Sequence, residues 1–135
     1  MRALKTVRIK FIGKEISCTA LFDTSSGHTV IQRAFFERNF NADWSSPPRA
    51  IKLYLVNGEF VEADKYTQVT IIMDDIELLP PEIILIVDKF VEEVEVEGGR
   101  VKLPESIIGS GTMDKYGITL DPKEGVKLAG ATLLL

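Results

Sequence analysis

One acidic residue stands where an apolar strand ends and a loop of small polar residues begins. Residues 20–22 are apolar, and Asp23 follows them directly. The next four residues are Thr24, Ser25, Ser26 and Gly27. An aspartate held at a strand end, among hydroxyl groups and backbone N–H donors, has an ionisation set more by its neighbours than by water. The pattern therefore predicts a carboxyl group suited to general acid–base chemistry.

Other kinds of site fit this loop less well. Taken alone, residues 23–25 are also typical of a strand-ending turn, in which side-chain oxygens bind the neighbouring backbone. Asp23, Ser26 and His28 lie too close together along one loop to suggest a Ser-His-Asp triad. With one histidine and one cysteine in the chain, a zinc site is not expected. The acidic pair 74–75 is more typical of a turn than of a metal site, so no metal or cofactor is predicted.

The composition is that of an ordinary globular protein. Its 135 residues are enough for one domain with a real core, and the predicted domain spans residues 1–135. Apolar residues make up 45% and charged residues 27% of the chain. The net charge is −4, and no basic cluster could neutralise phosphates or bind anionic lipids. Neither a nucleic acid nor a membrane is an expected partner.

Cysteine use and the apolar runs bear on location. Cys18 is the only cysteine, so the chain forms no internal disulfide, and its strand pattern predicts a buried thiol. No apolar run reaches the roughly 20 residues that a membrane span needs. The start of the chain also lacks the apolar core of a signal peptide. The sequence therefore predicts a cytoplasmic protein.

Strand patterns dominate, and the expected fold is all-β with one or two short helices, as a closed or nearly closed barrel. Apolar patterns predict strands at residues 7–11, 16–22, 51–56, 59–73, 76–79, 83–87, 118–120 and 131–135. Short helices are expected at residues 32–38 and 112–116. Hairpin turns are expected at Asn57-Gly58 and near residues 98–99. Pro80-Pro81 should separate two strands, and Pro104 should open a helical turn.

Two parts of the chain repeat one another weakly. Residues 7–22 form a predicted hairpin that leads to Asp23, and residues 69–87 form one that leads to Asp88. Each hairpin is followed by an apolar segment and a short helix, the segments being residues 29–31 and 107–109. The repeat implies pseudo-twofold symmetry. Asp88 is followed by Lys-Phe, so it lacks the hydroxyl and glycine neighbours of Asp23.

Four motifs, in this order along the chain, resemble those of the retropepsin-like aspartic peptidases, the single-domain homodimeric relatives of pepsin. Residues 20–31 are similar to the family's apolar strand, Asp-Thr-Gly-Ala loop and Thr-Val-Ile segment. The hairpin at residues 55–61 lies where the family carries its flap. Residues 107–109 are similar to the apolar-apolar-Gly motif that crosses behind the active loop. Residues 116–121 are similar to the segment that follows the family's late helix.

The resemblance implies an aspartic endopeptidase with an acid-protease barrel. Two carboxyl groups held close together share one proton, because both cannot ionise comfortably. The ionised group activates a water and the protonated one polarises the scissile carbonyl, with no metal and no cofactor. This chain contains only one suitable loop, so Asp23 would have to meet Asp23 of a second chain across a twofold axis. The implied assembly is a homodimer, and the implied substrate is a peptide or an unfolded protein.

The resemblance also implies roles for the residues around Asp23. Thr24 would brace the two loops across the dimer. Support of the active loop is assigned to Thr24, Ser25, Ser26 and Gly27. A flap that closes over an extended substrate is assigned to Val56, Asn57, Gly58 and Glu59. Packing behind the loop is assigned to Ile108 and Gly109. The apolar residues 132–135 are expected to pair with their counterparts in the second chain.

Two departures from the family pattern leave other functions open. Ser25 stands where the family has glycine, and its side chain could either donate a hydrogen bond to Asp23 or narrow the cleft. Ser110-Gly111 stands where the family has Arg-Asp or Arg-Asn. The second hypothesis is therefore a catalytically inactive dimerisation or peptide-binding module with the same fold. A third hypothesis, a β-barrel that binds small ligands, would be favoured by a monomer.

Overall fold

The computed structural model describes residues 1–41, 43–54, 60–88, 93–96, 99–102 and 104–129. Within this part of the chain there are twelve strands and two short helices. In chain order they are β1 Arg2–Phe11, β2 Lys14–Asp23, β3 Val30–Gln32, α1 Arg33–Phe40, β4 Ile51–Tyr54, β5 Phe60–Ala63, β6 Lys65–Met73, β7 Ile76–Val87, β8 Glu93–Val96, β9 Gly99–Lys102, β10 Ser106–Ile108, α2 Ser110–Tyr116, β11 Ile118–Asp121 and β12 Gly125–Leu128. The structure confirms the expected all-β class.

Six of the strands close a barrel in the order β1-β2-β10-β3-β7-β6. The hairpins β1-β2 and β6-β7 form its two sides. Between them, β10 runs parallel to β2, β3 runs parallel to β7, and the two short strands pair antiparallel with each other. Each short strand therefore pairs with the hairpin of the other half. This exchange has the pseudo-twofold symmetry that the sequence repeat predicts.

The main core fills the barrel and extends under both helices. Alternate residues of β1 and β2 point inward, and they meet apolar residues of β6, β7 and β10. The aromatic face of α1 closes one side, with Phe36 fully buried and in edge-on contact with Phe11. From α2, Met113 reaches the same core. Because α1 and α2 share this core, both helices are held firmly against the strand ends beside them.

A second apolar cluster lies where the β4-β5 hairpin meets the barrel. Its buried members are Val30, Leu53, Ala63, Leu85 and Val87. Partly buried residues from neighbouring strands, including Ile107, pack against it. The hairpin has one apolar and one exposed face, since its residues alternate in burial along both strands. This cluster fixes the base of the hairpin next to the strand that follows the Asp23 loop.

The strand predicted over residues 59–73 is two strands in the structure. β5 pairs with β4, whereas β6 pairs with β7 and β1 in the barrel. Asp64 lies between them, at the point where the chain leaves one sheet for the other. Alternation continues through this point, so the sequence pattern contains no sign of the change. The prediction of a single strand was wrong for this reason.

The prolines at positions 80 and 81 do not end a strand, and the prediction that they do was wrong. They lie within the continuous strand β7. The pairing of β6 with β7 shifts in register between Val69 and Ile71, which face Glu82 and Leu78. The irregularity takes both prolines out of the regular ladder, where their missing N–H groups would have left acceptors unpaired. Two long strands can therefore pair on both sides of it.

Smaller differences concern the last third of the chain. Pro104 opens no helical turn, because residue 105 donates its N–H to Thr19 and accepts one from Gln32. The hairpin expected near residues 98–99 is present as β8-β9. The pairing of β11 with β12 was not predicted, and the strand expected at residues 131–135 lies outside the described residues. Neither described helix has the length and apolar character needed to cross a bilayer.

Candidate active site

Asp23 is the last residue of β2, and only 6% of its surface is exposed. The register of the β1-β2 hairpin places Arg2 directly opposite it. The Nε of Arg2 lies 3.1 Å from Oδ2 of Asp23 and donates a hydrogen bond to it. A nearly buried carboxylate needs such a partner, because its own burial in the protein removes water. Arg2 is a contact of the candidate site that the sequence analysis missed.

Ser25 engages the other carboxylate oxygen of Asp23. Its backbone N–H donates to Oδ1 at 2.9 Å, and its hydroxyl donates to the same oxygen at 2.6 Å. The hydroxyl contact is one of the two effects foreseen for a serine at this position. The backbone of the loop closes on itself, since Ser26 N–H donates to the carbonyl of Asp23 at 3.2 Å. Within one chain, both oxygens of the Asp23 carboxylate therefore have donors.

The remaining loop residues make contacts with backbone groups. Thr24 is exposed, and both its N–H and its hydroxyl donate to the carbonyl of Met1, at 3.1 and 3.3 Å. The hydroxyl of Ser26 donates to the carbonyl of His28 at 2.9 Å. Gly27 is open, with nothing within 4 Å of the place where a Cβ would stand. The structure thus places these residues around Asp23 as a compact turn, with Gly27 on its outer side.

Behind the loop, the junction of β10 and α2 packs against its backbone. Ile108 lies beside Phe22 in the parallel pairing of β10 with β2. A Cβ on Gly109 would lie 2.6 Å from the carbonyl oxygens of both Ser26 and His28, so only glycine fits this position without a shift. The next residue, Ser110, donates its N–H to the Ser26 carbonyl at 2.7 Å. The structure therefore brings residues 108–110 into contact with the loop that carries Asp23.

The four residues assigned to a flap, Val56, Asn57, Gly58 and Glu59, lie outside the described residues. The strands on both sides of them are described, and β4 and β5 pair from Ile51 with Ala63 to Tyr54 with Phe60. Tyr54 and Phe60 are both exposed, and their ring centroids are 6.2 Å apart. The two strands of the hairpin predicted here are therefore paired up to Tyr54 and Phe60.

Strongly raised pKa values are found at Cys18 and Tyr116. Burial, with a smaller effect of Glu105, raises the pKa of the Cys18 thiol to about 12, so the thiol stays protonated and unreactive at neutral pH. Burial and the nearby Glu82 raise the pKa of Tyr116 to about 12. Neither group belongs to the Asp23 loop. Among the described residues there is no cluster of three or more histidine, cysteine or acidic side chains that could hold a metal.

Comparison with known proteins gives matches of structure and none of sequence. No family model and no curated protein matches the chain. The EIAV protease in complex with the inhibitor HBY-793 matches with a TM-score of 0.58 and 19% identity, over 87% of this chain and 89% of that one. The retroviral protease-like domain of Ddi1 from Leishmania major matches with a TM-score of 0.61 and 11% identity, over 96% of this chain and 90% of that one.

The barrel and these matches define the class of fold. Both matched structures are covered almost completely, so the likeness extends over the whole barrel and is not confined to one hairpin. The chain has an aspartic protease fold. More particularly, it has the retropepsin-like form of that fold, as the sequence motifs predicted.

Proposed function

We propose that this protein is an aspartic endopeptidase whose catalytic carboxyl group is that of Asp23. The observation that carries the proposal is the position of Asp23, which is nearly buried at the end of β2 in a retropepsin-like barrel. The proposal is further supported by the close contacts of Gly109 and Ser110 with the backbone of the Asp23 loop. Such a loop could hold a carboxylate in one orientation, which acid–base catalysis requires.

The proposed mechanism needs a second carboxyl group close to the first. The described residues contain one loop of this kind, so the second group would be Asp23 of another copy, and the proposed active species is a homodimer. The ionised carboxylate takes a proton from a water, and the water oxygen attacks the scissile carbonyl carbon. The protonated carboxyl group donates to the carbonyl oxygen. Breakdown of the tetrahedral intermediate transfers a proton to the leaving nitrogen.

The proposed substrate is an extended peptide or an unfolded stretch of protein. Residues 56–59 would close over it as a flap, and the paired strands β4 and β5 would anchor that flap. No metal or cofactor enters the proposed reaction, and the proposed location is the cytoplasm.

A second candidate function is an inactive dimerisation or peptide-binding module. It is favoured by the two intrachain contacts of the Asp23 carboxylate, with Arg2 on Oδ2 and the Ser25 hydroxyl on Oδ1. A catalytic water needs one of these oxygens as an acceptor. If neither contact gives way in the dimer, the fold would bind a peptide without cutting it.

Cleavage of an unfolded protein across a range of acidic to neutral pH separates the two candidates. The proposal expects cleavage that a hydroxyl-bearing peptide analogue inhibits and that Asp23→Asn abolishes. Binding of the same analogue without any cleavage supports the inactive module. Cleavage that persists in Asp23→Asn contradicts the assignment of Asp23.

The mass of the protein in solution tests the dimer. The proposal expects a mass of two chains at working concentration, and a monomer at every concentration would instead favour a barrel that binds small ligands. Removal of residues 132–135 tests their proposed pairing between chains. We expect the truncated protein to dissociate at higher concentration than the full chain, and an unchanged oligomer would contradict that pairing.

A further inference from the structure

Two buried threonines connect the Asp23 loop to α2. Thr29 is the last residue before β3, and Thr112 lies in the first turn of α2. Their hydroxyl oxygens are 2.5 Å apart, with either able to donate. The N–H of Gly109 donates to Oγ1 of Thr29 at 3.1 Å. Both residues are buried, so water does not compete for these bonds.

Hydroxyl groups are an unusual choice for this place in the core. Valine has nearly the shape of threonine and would fill the same space without a polar atom to satisfy. Among the described residues, no buried side-chain nitrogen or oxygen lacks a hydrogen-bond partner. The two hydroxyl groups therefore bond to each other, and one of them accepts the N–H of Gly109. These directional bonds fix the position of α2 relative to the loop more specifically than apolar packing does.

The link adds a bond between two side chains to elements that also meet through backbone hydrogen bonds and shared apolar packing. Thr29 is fixed on one side, since its carbonyl accepts the N–H of Leu85 from β7 at 3.0 Å. Its hydroxyl is thus held against the β10-α2 junction. Ser110 of that junction donates to the carbonyl of Ser26, and Ser26 donates to the carbonyl of Asp23. A displacement of α2 would therefore pass along two hydrogen bonds to the residue that carries the proposed catalytic carboxylate.

We propose that Thr112 is a positioning residue for Asp23, acting through Thr29 and the Gly109-Ser110 junction. Its hydroxyl fixes the position of α2 against the loop, and the loop in turn fixes the orientation of the Asp23 carboxylate. The catalytic consequence rests on the proposed endopeptidase function, whereas the effect on the loop does not. The Thr112 hydroxyl bonds to Thr29 and makes no hydrogen bond to the Asp23 carboxylate.

The test compares Thr112→Val, which removes the hydroxyl at nearly constant volume, with Thr112→Ser, which keeps it. Thr67→Val is the matched control, because Thr67 is equally buried but lies on β6. We expect Thr112→Val to lower kcat about tenfold with KM little changed, because a misplaced carboxylate slows chemistry more than binding. Thr112→Ser should stay within about twofold of the wild type, as should Thr67→Val.

Hydrogen exchange of backbone amides gives a readout that needs no activity. We expect the amides of Ser26, Gly109 and Ser110 to exchange faster in Thr112→Val, while amides of the β1-β2 hairpin keep their rates. A second variant, Thr29→Val, should have the larger effect because it also leaves the Gly109 N–H without its acceptor. The double variant should resemble Thr29→Val, since both substitutions break one link. If Thr112→Val does not fold, Thr112→Ala replaces it with the same expectations.

The outcomes separate the two proposals. Equal kcat in Thr112→Val and Thr112→Ser, or an equal loss in Thr67→Val, overturns the positioning role. Unchanged exchange at residues 26, 109 and 110 overturns it as well, whether or not the protein cleaves peptides. A wild-type protein without cleavage, whose loop amides nevertheless exchange faster in Thr112→Val, contradicts the endopeptidase and leaves the link to the loop supported.

Discussion

The two halves of the barrel offer two aspartates in equivalent places, and only one of them is protected from water. In the first half, β1, β2, β3 and α1 follow one another, and β2 ends at Asp23. In the second half, β6, β7, β10 and α2 take the same places, and β7 ends just before Asp88. The side chain of Asp23 is 8% exposed, whereas that of Asp88 is 79% exposed.

The connection that follows each strand explains the difference. Residues 24–29 lead from Asp23 straight into β3, and hydroxyl and amide groups of this short loop fold back on the carboxylate. After Asp88 the chain makes the β8-β9 hairpin before it reaches β10. Asp88 is left at the surface, in an ion pair with Arg33. A strand end supplies a position for an acid, but the following loop decides whether that acid is shielded from water.

The largest expected difference between the halves is in activity. Asp23→Asn should lower peptide cleavage by roughly 10²- to 10⁴-fold, because it removes the proposed acid–base group. Asp88→Asn should change the rate by less than about twofold, since the side chain is exposed and its ion pair is worth little. Initial rates on one unfolded substrate measure both. A similar loss in the two variants would show that the halves contribute alike and would contradict the proposed single-loop site.

The next largest expected difference is in stability, between substitutions of the residues that precede the two helices. Gly109 precedes α2 and Gln32 precedes α1. A side chain at Gly109 would strike the carbonyls of Ser26 and His28, whereas Gln32 is accommodated beside Pro104. Gly109→Ala should therefore lower the free energy of unfolding by about 1–3 kcal/mol or more, and Gln32→Ala by less than about 1 kcal/mol. Urea denaturation measures both, and equal losses would contradict the close packing behind the loop.

The two aspartate–arginine pairs should also differ in stability, with the pair of Asp23 contributing more than the pair of Asp88. Arg2→Gln leaves the nearly buried carboxylate of Asp23 without its charged partner and should cost about 1–3 kcal/mol in the free energy of unfolding. Arg33→Gln should cost less, because the partner carboxylate of Asp88 stays hydrated. Unfolding at low and high salt supplies the control, since the exposed pair should respond more to salt. A larger loss for Arg33→Gln would contradict the difference in burial.

The smallest effects concern one raised pKa in each half, that of Cys18 on β2 and that of Tyr116 on α2. Each pKa rises to about 12, from 9.0 for the thiol and 10.0 for the phenol. A raised pKa stabilises the folded protein below the unfolded value, and this contribution is lost as pH rises through the folded value. The free energy of unfolding should fall between pH 9 and 12, and Tyr116→Phe should flatten the part above pH 10. An unchanged slope in that variant would contradict the role of Tyr116.

Much of the fold could be predicted because local patterns and burial agree in most of the chain. The β1-β2 hairpin shows this best, as the alternation of residues 7–11 continues into a turn at Gly13 and a return at residues 16–22. The candidate site could be proposed because Asp23 and its hydroxyl-rich loop are contiguous in sequence. The packing of Gly109 behind the loop was predicted from the resemblance of residues 107–109 to a family motif.

The features that could not be predicted depend on contacts between residues that are far apart in the sequence. Thr112 lies in an ordinary helical pattern, and nothing in its neighbourhood indicates that its hydroxyl meets Thr29. Asp64 divides two strands only because β5 and β6 join different sheets. Arg2 could have been found by counting the hairpin register back from the Gly13 turn, which places it opposite Asp23. Charge pairs across a hairpin are readable from sequence once the register is known.

The position of β10 also has a consequence for the order in which the chain folds. β10 lies between β2 and β3, so the strands on either side of the Asp23 loop are joined by a segment that is synthesised much later. The bond from Thr29 to Thr112 spans 83 residues. Closing this stretch of chain has an entropic cost that must be met before the contact forms, so contacts of this kind form late in folding. The candidate active site should therefore be among the last parts of the barrel to form, and during synthesis it should stay incomplete until β10 and Thr112 have left the ribosome.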